Sequence, residues 1–199
     1  MTAFAKPARV SLKSWWARLH ATEGIAIAEF AVMLPLLLVL VVGIFDFGSA
    51  FNLKQKLGGA PREGARFGAS MPTSDLTDAG TPASVAAVRD LVDSYLQAAQ
   101  INDCGLSSSS AAGFGTLGWQ YTASGGGCPG TLTLTINRGQ LLPASGTGVP
   151  GTLNIVSTQV TISYPYAWEF NRVIGLLVSG ATYSGTTPIT ATATIPNLD

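Results

Sequence analysis

The feature that most constrains this chain is an apolar run from Ile25 to Phe45, which is interrupted by a single acidic side chain, Glu29. As an α-helix, these roughly 21 residues extend about 32 Å and match a bilayer core of about 30 Å. The apolar part of a cleavable signal peptide is shorter, about 7–15 residues. The run therefore predicts a membrane-spanning helix, with signal-peptide cleavage at the small residues 48–50 as the alternative.

The charges around this run predict its orientation. Four basic residues precede it, opposed only by Glu23, whereas the remainder of the chain is mildly acidic. Because an excess of Lys and Arg marks the cytoplasmic side of a membrane helix, the carboxy-terminal part is expected to be exported. The basic residues are Lys6, Arg9, Lys13 and Arg18.

The composition outside the run is typical of an exported β-rich protein. Only 11% of all residues are charged, 47% are hydrophobic, and the formal net charge is zero. A soluble domain usually has about a quarter charged residues. Since no excess of positive charge is present, the sequence predicts no nucleic acid partner.

The position of Glu29 within the apolar run requires an explanation. A charge in the middle of a bilayer costs several kcal/mol, and the cost falls close to the headgroups. One interpretation is a tolerated, shallow carboxylate. The other is a carboxylate that pairs with a cation from another chain, or with a new amino terminus created by cleavage after Gly24.

The residues at this point form a known pattern: a basic leader, Gly24, four apolar residues, Glu29 and Phe30. This pattern resembles the processing site of type IV prepilins. Together with "AEFAVMLPLLLVLVVGIFDFGSAF" and "REGARFGA", it resembles the TadE-like minor pilins, or pseudopilins, of the tight-adherence (Tad, or Flp) pilus. The strong resemblance covers 24–69, and beyond it only the general layout of one helix and Thr-rich strands agrees.

The resemblance implies a processing and assembly mechanism. A prepilin peptidase would cut between Gly24 and Ile25, and Glu29 would pair with the terminal amine of a neighbouring subunit. Phe30 and the bend at Pro35 would take part in assembly, with a static kink at Pro35 as the alternative. The implied partners are the membrane, the prepilin peptidase, the major Flp-type pilin, other minor pilins, and the inner-membrane platform and motor. The implied location is the bacterial inner membrane as a single-pass protein with a periplasmic domain, and also the extracellular pilus.

We expect four regions: a cytoplasmic leader (1–24), a transmembrane helix (25–48), a juxtamembrane helix (49–70) and an exported domain (71–199). Gly58, Gly59 and Pro61 predict an interruption of the helix before REGAR. Ala60, Gly64 and Gly68 would form a stripe of small residues that allows close packing against neighbours. A solvated linker helix is the alternative. The residues expected at this interface are Arg62, Glu63, Gly64 and Arg66.

The exported region predicts an α+β domain, with one helix on an antiparallel sheet of three or four strands. After a loop at 71–82, Thr81 and Pro82 are expected to start a helix with one apolar face. Glycine- and serine-rich loops are expected at 105–118 and 124–127. Alternation predicts strands near 131–137, 159–164 and 186–196, and Pro165 predicts a strand end or sheet edge. The helix face is expected to comprise Val85, Val88, Val92, Tyr95 and Ala99.

The aromatic residues Tyr164, Tyr166, Trp168 and Phe170 are expected to form a core edge or a membrane-proximal packing surface, with a surface that contacts a partner or a sugar as the alternative. The apolar segment 173–180 is too short to span a bilayer. It is interpreted as a buried helix or an exposed assembly patch.

The two cysteines, Cys104 and Cys128, both lie in the region predicted to be exported. In an oxidising compartment they most simply form one disulfide, worth about 3 kcal/mol for a loop of this size. Two unpaired thiols are the alternative.

Nothing in the sequence indicates catalysis, a cofactor or a metal site. The only histidine, His20, lies in the predicted leader, so the exported part has no His-based triad or metal ligand. No phosphate-binding loop is present, and Asp90 and Asp93 are interpreted as a solvated helix face. The sequence thus predicts a minor pilin, with a membrane-anchored binding module unrelated to filaments as the alternative.

Overall fold

The computed structural model describes residues 22–77, 80–143, 154–169 and 185–198. Three α-helices are present in these ranges: α1 (Thr22–Leu57), α2 (Gly59–Ser70) and α3 (Ala83–Ala98). Two short 3-10 helices lie at Ser74–Thr77 and Leu106–Ser108. The predicted leader up to residue 21, together with His20, Phe170 and the segment 173–180, lies outside the described residues.

The strands form one antiparallel sheet in which each strand pairs with the next along the chain, in the order β1-β2-β3-β4-β5. A long amino-terminal helix followed by this small domain is the predicted α+β fold. The strands are β1 (Ala111–Gly113), β2 (Gly118–Ala123), β3 (Leu132–Pro143), β4 (Asn154–Ala167) and β5 (Thr186–Pro196).

The described sheet has five strands, which corrects the prediction of three or four. β1 lies within the segment 105–118, which the sequence predicted to be a loop. Its three residues are too few for an alternating pattern, and they are extended because they pair with Trp119, Gln120 and Tyr121 of β2. Tertiary pairing therefore determines this strand.

The predicted interruption of the amino-terminal helix is present and is only one residue long. Gly58 separates α1 from α2 but keeps right-handed helical angles (φ −61°, ψ −22°). Pro61 has no N–H to donate to the carbonyl of Leu57, four residues earlier, which is the last residue of α1. The membrane helix and the juxtamembrane helix are therefore almost continuous, and residues 49–57 belong to α1.

The core of the domain lies on the face of the sheet that is covered by α2 and α3. Leu134, Ile136, Val160 and Ile162 are fully buried there. The predicted apolar face of α3 is confirmed at Val85, Val88 and Val92, and Leu96 joins it. Each Å² of apolar surface that these side chains remove from water stabilises the domain by about 25 cal/mol.

Three details of the predicted domain are corrected. Helix α3 begins at Ala83 with Pro82 at the N-cap and no side-chain cap, so Thr81 does not cap it. Asp93 is only 6% exposed, although the sequence placed it on the solvated face. Of the two expectations for Pro165, the strand end is wrong, because Pro165 pairs with Pro188 in the β4–β5 ladder, whereas the sheet edge is present there. It lies beyond Ser163, the last β4 residue that pairs with β3.

Candidate functional site

The apolar segment of α1 is exposed along most of its length in the isolated chain. Residues Gly24–Ser70 contain the helix that is long and apolar enough to cross a membrane, and none of its most apolar 18-residue window (mean hydropathy 2.8) is buried. Ile25 is 56% exposed and Phe30 is 62% exposed. Such a helix is consistent with a single-pass membrane anchor, since lipid or other helices must cover these side chains.

Gly24 and Glu29 both lie in the first turns of α1, which begins at Thr22. The side chain of Glu29 is exposed and has no hydrogen-bond or ion-pair partner among the residues that the structure describes. The helix therefore presents the carboxylate outward, towards lipid or a second polypeptide. Pro35 lies inside the same helix, where its missing N–H leaves the carbonyl of Ala31 without its usual partner.

Asp46 follows the apolar run directly and links α1 to the sheet. It is only 5% exposed. The hydroxyl of Tyr166, near the end of β4, donates to Asp46 Oδ1 (2.8 Å) and to the Asp46 carbonyl (3.2 Å). Burial and this acidic neighbour raise the pKa of Tyr166 to about 12, so the phenol remains a donor at neutral pH.

The predicted aromatic cluster lies at the same junction. The ring of Trp168 packs edge-on against Phe47 of α1 (5.3 Å between centroids) and against Tyr166 (5.0 Å). The indole N–H donates to Thr187 Oγ1 (2.8 Å), while Tyr164 is buried in the core. The contacts agree with a core edge next to the membrane helix, and the remaining member, Phe170, is not described.

The stripe of small residues on α2 packs against the chain's own domain. A Cβ at Gly64 would lie 3.0 Å from Val92 Cγ2, and one at Gly68 would lie 2.9 Å from Thr158 Cγ2. The surface of α2 at Gly64 is therefore covered by side chains of the same chain and is not accessible to a second subunit. Of the predicted interface residues, the exposed ones are Arg62, Glu63 and Arg66.

Cys104 and Cys128 form a disulfide, as predicted. The loop that it closes is also held by the Gly125 N–H, which donates to the Cys104 carbonyl (2.8 Å), and by Asn102 Nδ2, which donates to the Gly126 carbonyl (2.6 Å). Arg89 of α3 donates to the Ser107 carbonyl (2.5 Å). These bonds fix the loop on α3 and make it an ordered part of the domain.

A carboxyl pair lies beside this loop. Burial, followed by the neighbouring Asp103 carboxyl, raises the pKa of Asp93 to about 6, and Arg89 partly opposes this. Gln97 Nε2 donates to Asp93 Oδ2 (2.8 Å). In the described parts of the chain, no three His, Cys, Asp or Glu side chains come together as a metal site requires.

Sequence reasoning missed a buried polar network under the start of α3. Arg138 is completely buried, and it donates to Ser84 Oγ (2.7 Å) and to the carbonyls of Met71 (2.7 Å) and Pro72 (3.1 Å). Asp75 accepts from the Ser84 N–H (2.7 Å), which supplies the missing helix cap. The alternation Leu132, Leu134, Ile136, Arg138 was the available signal, because it places the guanidinium on the buried face.

With this geometry established, the comparison with known families is decisive for the amino-terminal helices. A family model described as TadE-like protein matches residues 24–66. In the segment 24–66, the chain is similar to the TadE-like family.

The TadE-like segment begins at Gly24, includes Glu29 and Pro35, and ends within α2. The resemblance predicted from the sequence is thus confirmed, and the match indicates a protein associated with the Tad pilus. It does not extend to α3 or the sheet. No curated protein and no solved structure matches the chain significantly.

Proposed function

We propose that the protein is a minor pilin, or pseudopilin, that joins or primes assembly of a Tad pilus without catalysing a reaction. A prepilin peptidase would remove the leader between Gly24 and Ile25, and the new amine of Ile25 would lie at the cytoplasmic membrane face. The remaining helix would hold the protein in the inner membrane, with the α+β domain in the periplasm.

The observation that carries this proposal is the position of Glu29. It lies on the exposed surface of the TadE-like segment, five residues after Gly24, with no cation among the described residues to pair with it. A carboxylate and an amine are each costly in lipid, and the cost is offset when two subunits bring them together in register. Glu29 would then stabilise the docked state of two subunits and contribute little to the stability of the monomer.

The exposed apolar face of α1 supports the same role. Large side chains such as Val32 (77% exposed) and Ile27 (70% exposed) contact nothing within the described chain that would bury them. In the membrane these side chains are solvated by lipid, and in a filament they would pack against other subunits. The major Flp-type pilin, other minor pilins and the inner-membrane platform are the expected partners.

The mature amino terminus tests the proposal. Intact-mass and amino-terminal peptide measurements on the membrane fraction are expected to give Ile25 when the prepilin peptidase is active and Met1 when its gene is deleted. A Gly24→Ala variant should behave like the deletion. An unprocessed chain in peptidase-positive cells, absent from every filament preparation, would instead favour a membrane-anchored binding module.

A further inference from the structure

The outer strand of the sheet, β5, has features of an edge that receives another strand. It extends over 11 residues, and its one strand neighbour in the described structure is β4. Edge strands usually carry charges, bulges or central prolines that prevent further pairing. From Thr186 to Pro196 there is no charged residue, and the two prolines, Pro188 and Pro196, lie near the ends.

The register shows which backbone groups point outward. The Trp168 N–H donates to the Gly185 carbonyl (3.3 Å), and the Asn197 N–H donates to the Val156 carbonyl (3.0 Å). Both bonds follow the same antiparallel register as the ladder, so the odd-numbered residues of β5 bond to β4 and the even-numbered ones face away. The central residues with outward N–H and C=O groups are Thr190, Thr192 and Thr194.

A groove of about 610 Å³ lies between this edge and the helices. Thr190 and Thr192 line it on the strand side, and Lys54 and Arg62 line it on the helix side. None of its eight lining residues is acidic. An extended segment in the groove would therefore meet unpaired backbone groups on one side and two cations on the other, which favours an acidic occupant.

The strand direction argues against a second copy of this chain as the occupant. β4 ends at the Asp46 junction, directly above the apolar run, so β5 runs away from the membrane and the Leu198 N–H reaches the Ala69 carbonyl near the end of α2. β1 runs in the same sense as β5, because four antiparallel pairings separate them. Copies anchored in one membrane would thus offer only parallel edges, and β1 has three residues.

We propose that the β5 edge binds an extended, acidic segment of a different pilus subunit, which pairs antiparallel with 190–194 and runs toward the membrane. Lys54 and Arg62 contact its acidic side chain. The inference rests on the proposed function only in taking the partner to be a pilus protein.

The test is photo-cross-linking in cells that produce the full chain and its pilus, with benzoylphenylalanine at position 55, inside the groove. The expected adduct joins a different pilus protein through a peptide that contains Asp or Glu. Thr192→Pro removes one outward N–H and leaves the β4 ladder intact, as Pro188 already does, so we expect adduct yield to fall by about tenfold or more. Lys54→Glu should cause a comparable loss through charge repulsion, without altering the strand.

A matched control tests the site itself. Lys56→Glu changes an exposed cation on the same helix as Lys54, and yield should fall far less than with Lys54→Glu because the Lys56 side chain does not line the groove. An adduct that resists both Thr192→Pro and Lys54→Glu would overturn the inference. So would adducts formed only within this chain or with a second copy, or no adduct at all.

The outcomes also separate this inference from the proposed function. If the protein co-isolates with filaments but gives no groove adduct, the proposed β5 binding site is wrong and the minor-pilin proposal is unaffected. If the adduct forms with a protein outside the pilus and its yield falls in both variants, the β5 binding site is supported and the pilus role is contradicted.

Discussion

At the scale of single residues, two carboxylates on this chain have opposite environments. Glu29 is exposed on the apolar helix α1, and Asp93 is buried beside Asp103 in the α+β domain. The first has no cationic partner among the described residues, so an ion pair would need a partner chain or a cleaved amino terminus. The second is neutralised by binding a proton. Their effects should therefore appear in different measurements: assembly for Glu29 and stability for Asp93.

Glu29→Gln is expected to lower the amount of filament-associated protein by about tenfold or more. Removing one member of an ion pair in a low-dielectric setting costs about 3–5 kcal/mol. Quantitative immunoblotting of sheared filaments measures the effect. Asp90→Asn, which changes an exposed carboxylate on α3 outside the apolar run, is the control and should have no effect. Normal assembly of Glu29→Gln would remove this residue from the mechanism.

Asp93→Asn is expected to stabilise the protein near neutral pH. Because the pKa of Asp93 is raised to about 6 in the folded state, the native protein binds the proton more tightly than the unfolded chain does. The free energy of unfolding should therefore fall as pH rises from about 4 to about 6, by about 2 kcal/mol. Denaturant unfolding of the detergent-solubilised chain at several pH values measures this slope.

Two variants complete that experiment. Asp93→Asn should lose the slope, whereas Asp90→Asn, which alters an exposed carboxylate on the same helix, should keep it. An unchanged slope in Asp93→Asn would assign the pH dependence to other groups.

At the scale of elements, small residues on α2 allow this helix to pack closely against the rest of the domain. Gly64 and Gly68 let the helix approach Val88, Val92 and Thr158 closely. The stripe of small residues is visible in the sequence, but a stripe looks the same whether it faces another subunit or the same chain. The contacts assign it to this chain, so α2 belongs mechanically to the domain and not to the membrane helix alone.

Gly68→Ala should destabilise the domain by about 1–3 kcal/mol, because the added Cβ would lie 2.9 Å from the buried Thr158 side chain and 3.2 Å from Val88 Cγ2. Thermal unfolding followed by tryptophan fluorescence measures it. The matched change Gly48→Ala, on α1, meets nothing within 4 Å and should be neutral or slightly stabilising. Equal effects of the two changes would show that packing at Gly68 is not limiting.

At the scale of the whole molecule, the junction at Asp46 determines how the domain is carried by the membrane helix. Tyr166 and Trp168 of the sheet contact Asp46 and Phe47 of α1, directly after the apolar run. The near-continuous α1 and α2 provide the second connection. Two connections hold the domain at a defined angle to the helix.

Tyr166→Phe is expected to loosen this junction, since a hydrogen bond to a charged group contributes about 1.5–3 kcal/mol. Spin labels at positions 44 and 122, both exposed, should show a broader distance distribution in the variant. Thr161→Val removes a side-chain hydrogen bond to Thr192 between β4 and β5, away from the junction, and should leave the distribution unchanged. A narrow distribution in Tyr166→Phe would show that α2 alone fixes the domain.

The sequence by itself determined those features that depend on local pattern. These were the apolar run with Glu29, the interruption at Gly58 and Pro61, the alternation of β3, β4 and β5, and the pairing of Cys104 with Cys128. Each follows from periodicity, proline chemistry or redox compartment, which need no knowledge of distant residues.

Only the tertiary structure decided which distant groups meet. A β-bulge between Asn137 and Gln140 accompanies the inward Arg138, whose guanidinium binds a loop more than sixty residues earlier. Such long-range contacts also bury Asp93 and form β1. They pack Gly64 against the core of the same chain instead of a second subunit. A local pattern gives the face of an element, and the packed fold alone gives its partner.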